Sequence, residues 1–185
     1  DMAGERGDWT DATFWVDKCC IPQNDELTGT CVSMIEAFLN RCDGMVVLLS
    51  WHYFERLWCV YEWAAFLACH GPLAIEICVD VFLNTRTMPL YLDAIERFSV
   101  ENCACTCESD RAVLAAKIKQ YYVSTDAFEE LVVSTAIALL ARSLARRAGR
   151  SVEHYAESFL PWVQLAAQLH QPELSAALAT AEPVE

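Results

Sequence analysis

Basic residues are scarce in this chain of 185 residues, which has 13 lysines and arginines against 26 aspartates and glutamates and a formal net charge of −13. An acidic surface repels phosphate backbones, so we expect no nucleic-acid partner. One basic cluster stands near the end of a predicted helix, where cations complement the negative helix terminus. Its members are Arg142, Arg146, Arg147 and Arg150.

Several signature motifs are absent from the sequence. It has no glycine-rich phosphate loop, no serine nucleophile elbow and no HExxH string. The longest nearly uncharged apolar run, residues 131–141, is far shorter than the roughly 20 residues that a membrane-spanning helix needs. We therefore expect no membrane span in this chain. No secretory signal stands at its start, which predicts a cytoplasmic location.

Cysteine, by contrast, is abundant, with 10 residues. Many of them lie within apolar runs, which is typical of small core residues. The string Cys103-Ala104-Cys105-Thr106-Cys107 spaces its thiols by single residues, whereas zinc sites pair cysteines at gaps of about two to four residues and add a second pair. We therefore predict reduced thiols and no metal site.

Apolar runs of strand length alternate with stretches of helical spacing along the chain. The predicted strands cover residues 13–17, 45–50 and 73–82. The predicted helices cover residues 27–41, 53–70, 88–97, 108–122 and 127–147. This alternation predicts an α/β fold built on a doubly wound parallel sheet.

The run over 45–50, MVVLLS, has no alternation of apolar and polar residues. Such a run predicts a central strand that is buried on both faces, here between parallel neighbours at 14–17 and 73–81. We assign residues 1–149 to this α/β domain and residues 150–185 to a helical acidic tail. The tail is expected to hold two short helices separated by Gln171-Pro172, packed loosely or paired with another chain.

The segment after Ser50 carries the most specific pattern in the chain. It reads WHYFERLWCVYEWAAFLACHG and places one acid, Glu62, shortly after Trp58-Cys59. Upstream stands FWVDKCCIPQ, and downstream FSVENCACTCESDR has a cysteine before an Asp-Arg pair. This order resembles the Toll/interleukin receptor (TIR) domain, above all the TIR-like domains of plants and unicellular eukaryotes. There a strand ending in serine leads to a tyrosine, then Trp-Cys, then a glutamate.

The resemblance implies a flavodoxin-like sheet. The first strand and helix of a TIR domain have no counterpart here, so we expect a domain that is incomplete at its N-terminus. Missing elements would leave a strand edge and a helix-sized groove exposed, which favours association. Pro22 stands where an acid is common in the family, and Trp63 where a small aliphatic residue is usual. Both departures alter the region that would bind a nucleotide.

TIR domains act by self-association, so the resemblance implies an intracellular signalling module that pairs with itself or with other TIR-like domains and requires no cofactor. An alternative is NAD cleavage, because in TIR domains that cleave NAD the glutamate after Trp-Cys is catalytic. That role falls here on Glu62, whose carboxylate would stabilise the positive charge that builds on the ribose. A third reading is a degenerate fragment with no activity.

Four further residues are candidates for binding NAD. Asp17, Lys18 and Ser50 end predicted strands, where parallel sheets bind ligands, and Trp58 would form a pocket wall. Three of these four residues, and Glu62 as well, have a structural alternative. Asp17 and Lys18 could be a loop ion pair and Trp58 a core aromatic, while Glu62 could be a helix acid paired with Arg56.

Overall fold

The computed structural model describes residues 12–21, 25–78, 84–148 and 152–180. Two short 3-10 helices cover Trp51–Glu55 and Pro72–Ala74. The regular elements are α1 (Asp17–Cys20), α2 (Asp25–Ser33), α3 (Ile35–Leu39), β1 (Met45–Leu48), α4 (Leu57–His70), β2 (Ile75–Cys78), α5 (Met88–Glu96), α6 (Glu108–Tyr121), α7 (Thr125–Ala148), α8 (Val152–Gln168) and α9 (Pro172–Thr180).

The strands β1 and β2 pair in parallel, in a register that runs from Met45 opposite Ile75 to Leu48 opposite Cys78. Helix α4 forms the crossover between them, and Gly71 ends it with a φ of 73°, a conformation that glycine adopts without strain. The predicted mixture of helices and parallel strands is confirmed. Within the described residues, however, the sheet has two strands, so they do not form a doubly wound sheet.

The two faces of β1 differ in burial. Val47 and Leu49 are buried, and Ile75 and Ile77 of β2 lie with them on the core side. We call this the inner face. On the opposite, outer face Val46 is 41% exposed and Leu48 is 71% exposed. The predicted burial of this strand on both faces is therefore wrong.

The predicted strand over 13–17 is also wrong. Residues 12–16 have no regular secondary structure, and the chain turns into α1 at Asp17. The backbone N–H groups of Cys19 and Cys20 both donate to the Val16 carbonyl, at 2.9 and 2.8 Å. Trp15 stacks on Phe38 of α3, with ring centroids 5.9 Å apart. One of the aromatic residues that suggested a strand, Trp15, thus packs against a helix, and helical hydrogen bonds to Val16 replace strand pairing.

The predicted strand over 73–82 is shorter in the structure. Residues 72–74 form a 3-10 turn, and β2 then covers Ile75–Cys78. The rest of the predicted strand, 79–82, lies outside the described residues.

Helix α4 is the centre of the hydrophobic core. Its buried residues are distributed around most of its circumference, as expected of a helix that other elements cover on several sides. They are Leu57, Val60, Tyr61, Trp63, Ala64, Ala65 and Phe66. The Trp63 indole donates to the Thr135 hydroxyl of α7 at 2.9 Å, which satisfies its buried N–H.

The tail contributes to the same core. Trp162, Leu165 and Ala166 of α8 are buried in the cluster that contains the inner face of the sheet. Two helices form on either side of Gln171, as predicted, and Pro172 begins the second. The division between residues 149 and 150 stays a prediction. Within the described parts of the chain, no helix combines the length and the apolar character needed to cross a bilayer.

Candidate functional site

The carboxyl end of β1 leads into the candidate site. Leu49 is buried, Ser50 is half-buried, and the 3-10 helix Trp51–Glu55 follows directly. The Tyr91 hydroxyl of α5 donates to the Leu49 carbonyl at 2.7 Å, which fixes this end of the strand against α5. Burial raises the pKa of Tyr91 to about 12, so the phenol remains a hydrogen-bond donor at neutral pH.

Glu62 lies in the second turn of α4 and is half-buried. Tyr53, in the preceding 3-10 helix, donates its hydroxyl to the Cys59 carbonyl of α4 at 2.9 Å. Burial raises the pKa of Tyr53 well above its usual value, and the charges of Cys59 and Glu62 raise it further. The Tyr53 N–H donates to the Ser50 carbonyl at 3.0 Å. Tyr53 therefore joins Ser50 to Cys59 in the first turn of α4, one turn before Glu62.

Trp58 is directed towards α6. Its indole N–H donates to the Asp110 carboxylate in the first turn of that helix, at 3.3 Å. Its ring is half-buried against the core. Trp58 thus joins two helices in this structure, which agrees with the core-aromatic alternative for this residue.

Asp17 and Lys18 are part of α1 rather than the end of a strand. Their side chains lie outside the described residues, so their predicted role in binding stays a prediction.

A cleft of about 420 Å³ opens just beyond the carboxyl end of β1. It lies between the 3-10 helix Trp51–Glu55, α5 and the loop that follows α5, and neither Glu62 nor Trp58 nor Ser50 lines it. Sequence reasoning proposed none of its lining residues. The position of Trp51–Glu55 shortly after β1 could have indicated this cleft, because parallel α/β sheets bind ligands beyond the carboxyl ends of their strands.

A second polar cluster ties three helices together. The Lys117 ammonium group of α6 lies 2.6 and 2.7 Å from the two carboxylate oxygens of Glu36 on α3 and donates to the Ser33 carbonyl at 2.9 Å. The Tyr61 hydroxyl of α4 also donates to Glu36. Burial acts to raise the pKa of Glu36, but the hydrogen bonds from Lys117 and Tyr61 outweigh it and lower that pKa. These hydrogen bonds hold α3, α4 and α6 together.

All ten cysteines are free thiols. Cys103 is the most buried of them, and its thiol donates to the Phe54 carbonyl at 3.2 Å. Burial raises the pKa of Cys103 to about 12, which keeps it protonated and unreactive. Within the parts of the chain that the structure describes, no group of three or more His, Cys, Asp and Glu side chains is arranged to hold a metal ion.

Comparisons of this chain with protein-family models, with curated proteins and with solved structures gave no match.

Proposed function

We propose that this chain is a TIR-like association module with a flavodoxin-like strand order, and that it pairs with a second copy of itself or with another TIR-like domain. The observation that carries the proposal is the exposed outer face of β1, where Leu48 and Val46 are both open to solvent. The ten free thiols favour a reducing compartment, and we place the protein in the cytoplasm.

Strand order supports this assignment. A flavodoxin-like sheet has the order 2-1-3-4-5, so its third strand lies between the first and the fourth. If β1 and β2 are the third and fourth strands, the other edge of β1 is the place of the first strand. Within residues 12–21, 25–78, 84–148 and 152–180, no strand pairs with β1 there.

The edge of β1 opposite β2 is chemically suited to pairing. Met45–Leu48 contains neither a charge nor a proline, which are the devices that commonly block edge-to-edge association. On the outer face the register places Val46 beside Glu76 and Leu48 beside Cys78. A second copy that packs on this surface would bury the two exposed aliphatic side chains and supply hydrogen-bond partners to the edge.

Sedimentation equilibrium of the wild type and of Leu48→Lys tests the proposal. We expect concentration-dependent dimers for the wild type and a dissociation constant raised at least about tenfold by Leu48→Lys, since a charge would have to be buried in the contact. The matched control is Leu160→Lys in α8, where the leucine is 56% exposed. A wild type that stays monomeric, or a control that weakens the dimer equally, would contradict the proposal.

Cleavage of NAD is the second candidate, favoured by Glu62, which is half-buried in the second turn of α4 and whose charge acts to raise the pKa of the Tyr53 phenol. The bond between ribose C1′ and the nicotinamide nitrogen breaks, and its electron pair neutralises the pyridinium. Water then adds to C1′ and releases a proton, giving nicotinamide and ADP-ribose. A carboxylate near C1′ stabilises the oxocarbenium-like transition state.

Nicotinamide release from NAD by the wild-type protein and by its variants tests the second candidate. Glu62→Gln should lower the rate about a thousandfold, because it removes the carboxylate that stabilises the transition state. Glu96→Gln, at an exposed position at the end of α5, should leave it unchanged. Equal turnover by the wild type and Glu62→Gln would exclude this role for Glu62.

A further inference from the structure

We propose that the cleft beyond β1 binds an organic cation, namely an ammonium group attached to a compact apolar body. This proposal is independent of self-association and of NAD cleavage, because the cleft contains neither the outer face of the sheet nor Glu62.

The walls of the cleft are fixed from several sides. Trp51 contacts Tyr91 edge to face, with ring centroids 5.9 Å apart. The Ala104 N–H donates to the Glu55 carbonyl at 2.6 Å, and the buried Cys103 thiol caps the Phe54 carbonyl. These contacts hold the 3-10 helix between α5 and the 103–104 segment. The cleft is therefore formed before a ligand arrives, as most small-molecule sites are.

Three aromatic side chains, Trp51, Phe54 and Phe98, line the cleft. The negative face of an aromatic ring attracts a cation, and tryptophan does so most strongly. The volume of about 420 Å³ lies within the range of known sites for small organic ligands. Aromatic walls of this kind account for the apolar body and for part of the attraction to its charge.

Two carboxylates supply the rest of the attraction. Glu55 lies 2.8 Å from His52 Nδ1, and Asp93 lies 2.9 Å from Arg97 Nε. All four side chains are more than half exposed, so these contacts contribute little and exchange readily with a ligand. An ammonium group that enters the cleft takes the place of His52 on Glu55 or of Arg97 on Asp93.

The net charge of the whole chain also favours a cationic ligand. A net charge of −13 attracts cations and repels anions at a distance. Arg97 is the guanidinium in the lining, and it is already paired with Asp93. An anionic ligand of the same size would have to displace Asp93 and would also meet Glu55.

Isothermal titration of the full chain with three benzyl probes tests the proposal: benzyltrimethylammonium, benzyl alcohol and benzoate. We expect the cation to bind about tenfold more tightly than the neutral or the anionic probe, since only the cation gains from the rings and the carboxylates. Trp51→Ala and Asp93→Asn should each weaken its binding about fivefold or more.

Two variants separate recognition from folding. Trp51→Phe keeps an aromatic face and should retain most of the affinity that Trp51→Ala loses. Glu101→Gln removes one negative charge from an exposed position that does not line the cleft, and it should leave binding unchanged. Equal binding of benzyl alcohol, tighter binding of benzoate, or no binding of any probe up to about 10 mM would each overturn the proposal.

Discussion

The two faces of the sheet come from one apolar run and have different surroundings. Leu48 and Leu49 are neighbours in the chain, yet Leu48 is 71% exposed and Leu49 is fully buried. The inner face packs in the core with α4, α7 and α8, whereas the outer face has no such cover among the described residues. A continuous apolar run therefore predicts a strand and does not specify how many of its faces the fold will cover.

Separate truncation of the two adjacent leucines should give the largest difference in stability between the two faces. Leu49→Ala should lower the free energy of unfolding by about 2–5 kcal/mol, because it leaves a cavity in a close-packed core. Leu48→Ala should change it by no more than about 0.5 kcal/mol, as for an ordinary surface position. Urea unfolding at a concentration where the protein is monomeric measures both, and equal losses would contradict the assignment of the faces.

A second comparison sets the buried ion pair against an exposed one. Lys117→Met leaves the partly buried Glu36 without its cation and should cost about 3 kcal/mol in unfolding free energy. Arg97→Met breaks the pair with Asp93 on the surface and should cost less than about 1 kcal/mol. Similar losses in thermal or urea unfolding would show that the Glu36 cluster does not clamp the helices.

The same cluster gives a prediction for pH. The pKa of Glu36 is lower in the folded chain than the ordinary value of 4.5, so its contribution is complete above that value and is lost as the pH falls through the folded pKa. Between pH 6 and pH 3 the wild type should therefore lose more stability than Glu36→Gln does. Glu130→Gln, an exposed acid on α7, serves as the control and should follow the wild type.

A smaller loss of stability is expected when the contact between α7 and the start of β2 is removed. The Arg142 guanidinium donates to the Ile75 carbonyl at 2.6 Å and to the Pro72 carbonyl at 3.4 Å. Sequence analysis assigned Arg142 to a helix terminus, and the structure shows that it also anchors the start of β2. Arg142→Met should cost about 1–2 kcal/mol, and urea unfolding of Arg142→Lys, which retains one donor, should show a smaller loss.

Sequence reasoning succeeded where local signals decide the structure. The helix predicted over 53–70 corresponds to α4, which begins later, at Leu57, after a 3-10 helix. It ends at His70, as predicted, because Gly71 and Pro72 stop it. The parallel pairing of the runs beginning at Met45 and Leu73 also followed from the helix between them, although β2 itself begins at Ile75. These features depend on periodicity and on stop signals within a few residues.

Predictions from the sequence failed where contacts between residues far apart in the chain determine the structure. The run before Asp17 has the composition of a strand, but the stacking of Trp15 on Phe38 and the helical bonds to Val16 draw it away from that conformation. The lining of the cleft was not predicted residue by residue, because its walls come from two segments, 51–55 and 90–103, that are far apart in the sequence. Glu62 stood out only through resemblance to a family, and it does not line that cleft.

The central claim is that the outer side of β1 is an association surface, and hydrogen exchange over a range of protein concentrations tests it most directly. Backbone amides of Met45–Leu48 should become more protected as the concentration rises, because the second copy covers this strand. Amides of α5, which lies at the cleft, should exchange at a constant rate. Exchange in β1 that does not depend on concentration, while dimers form, would contradict the account.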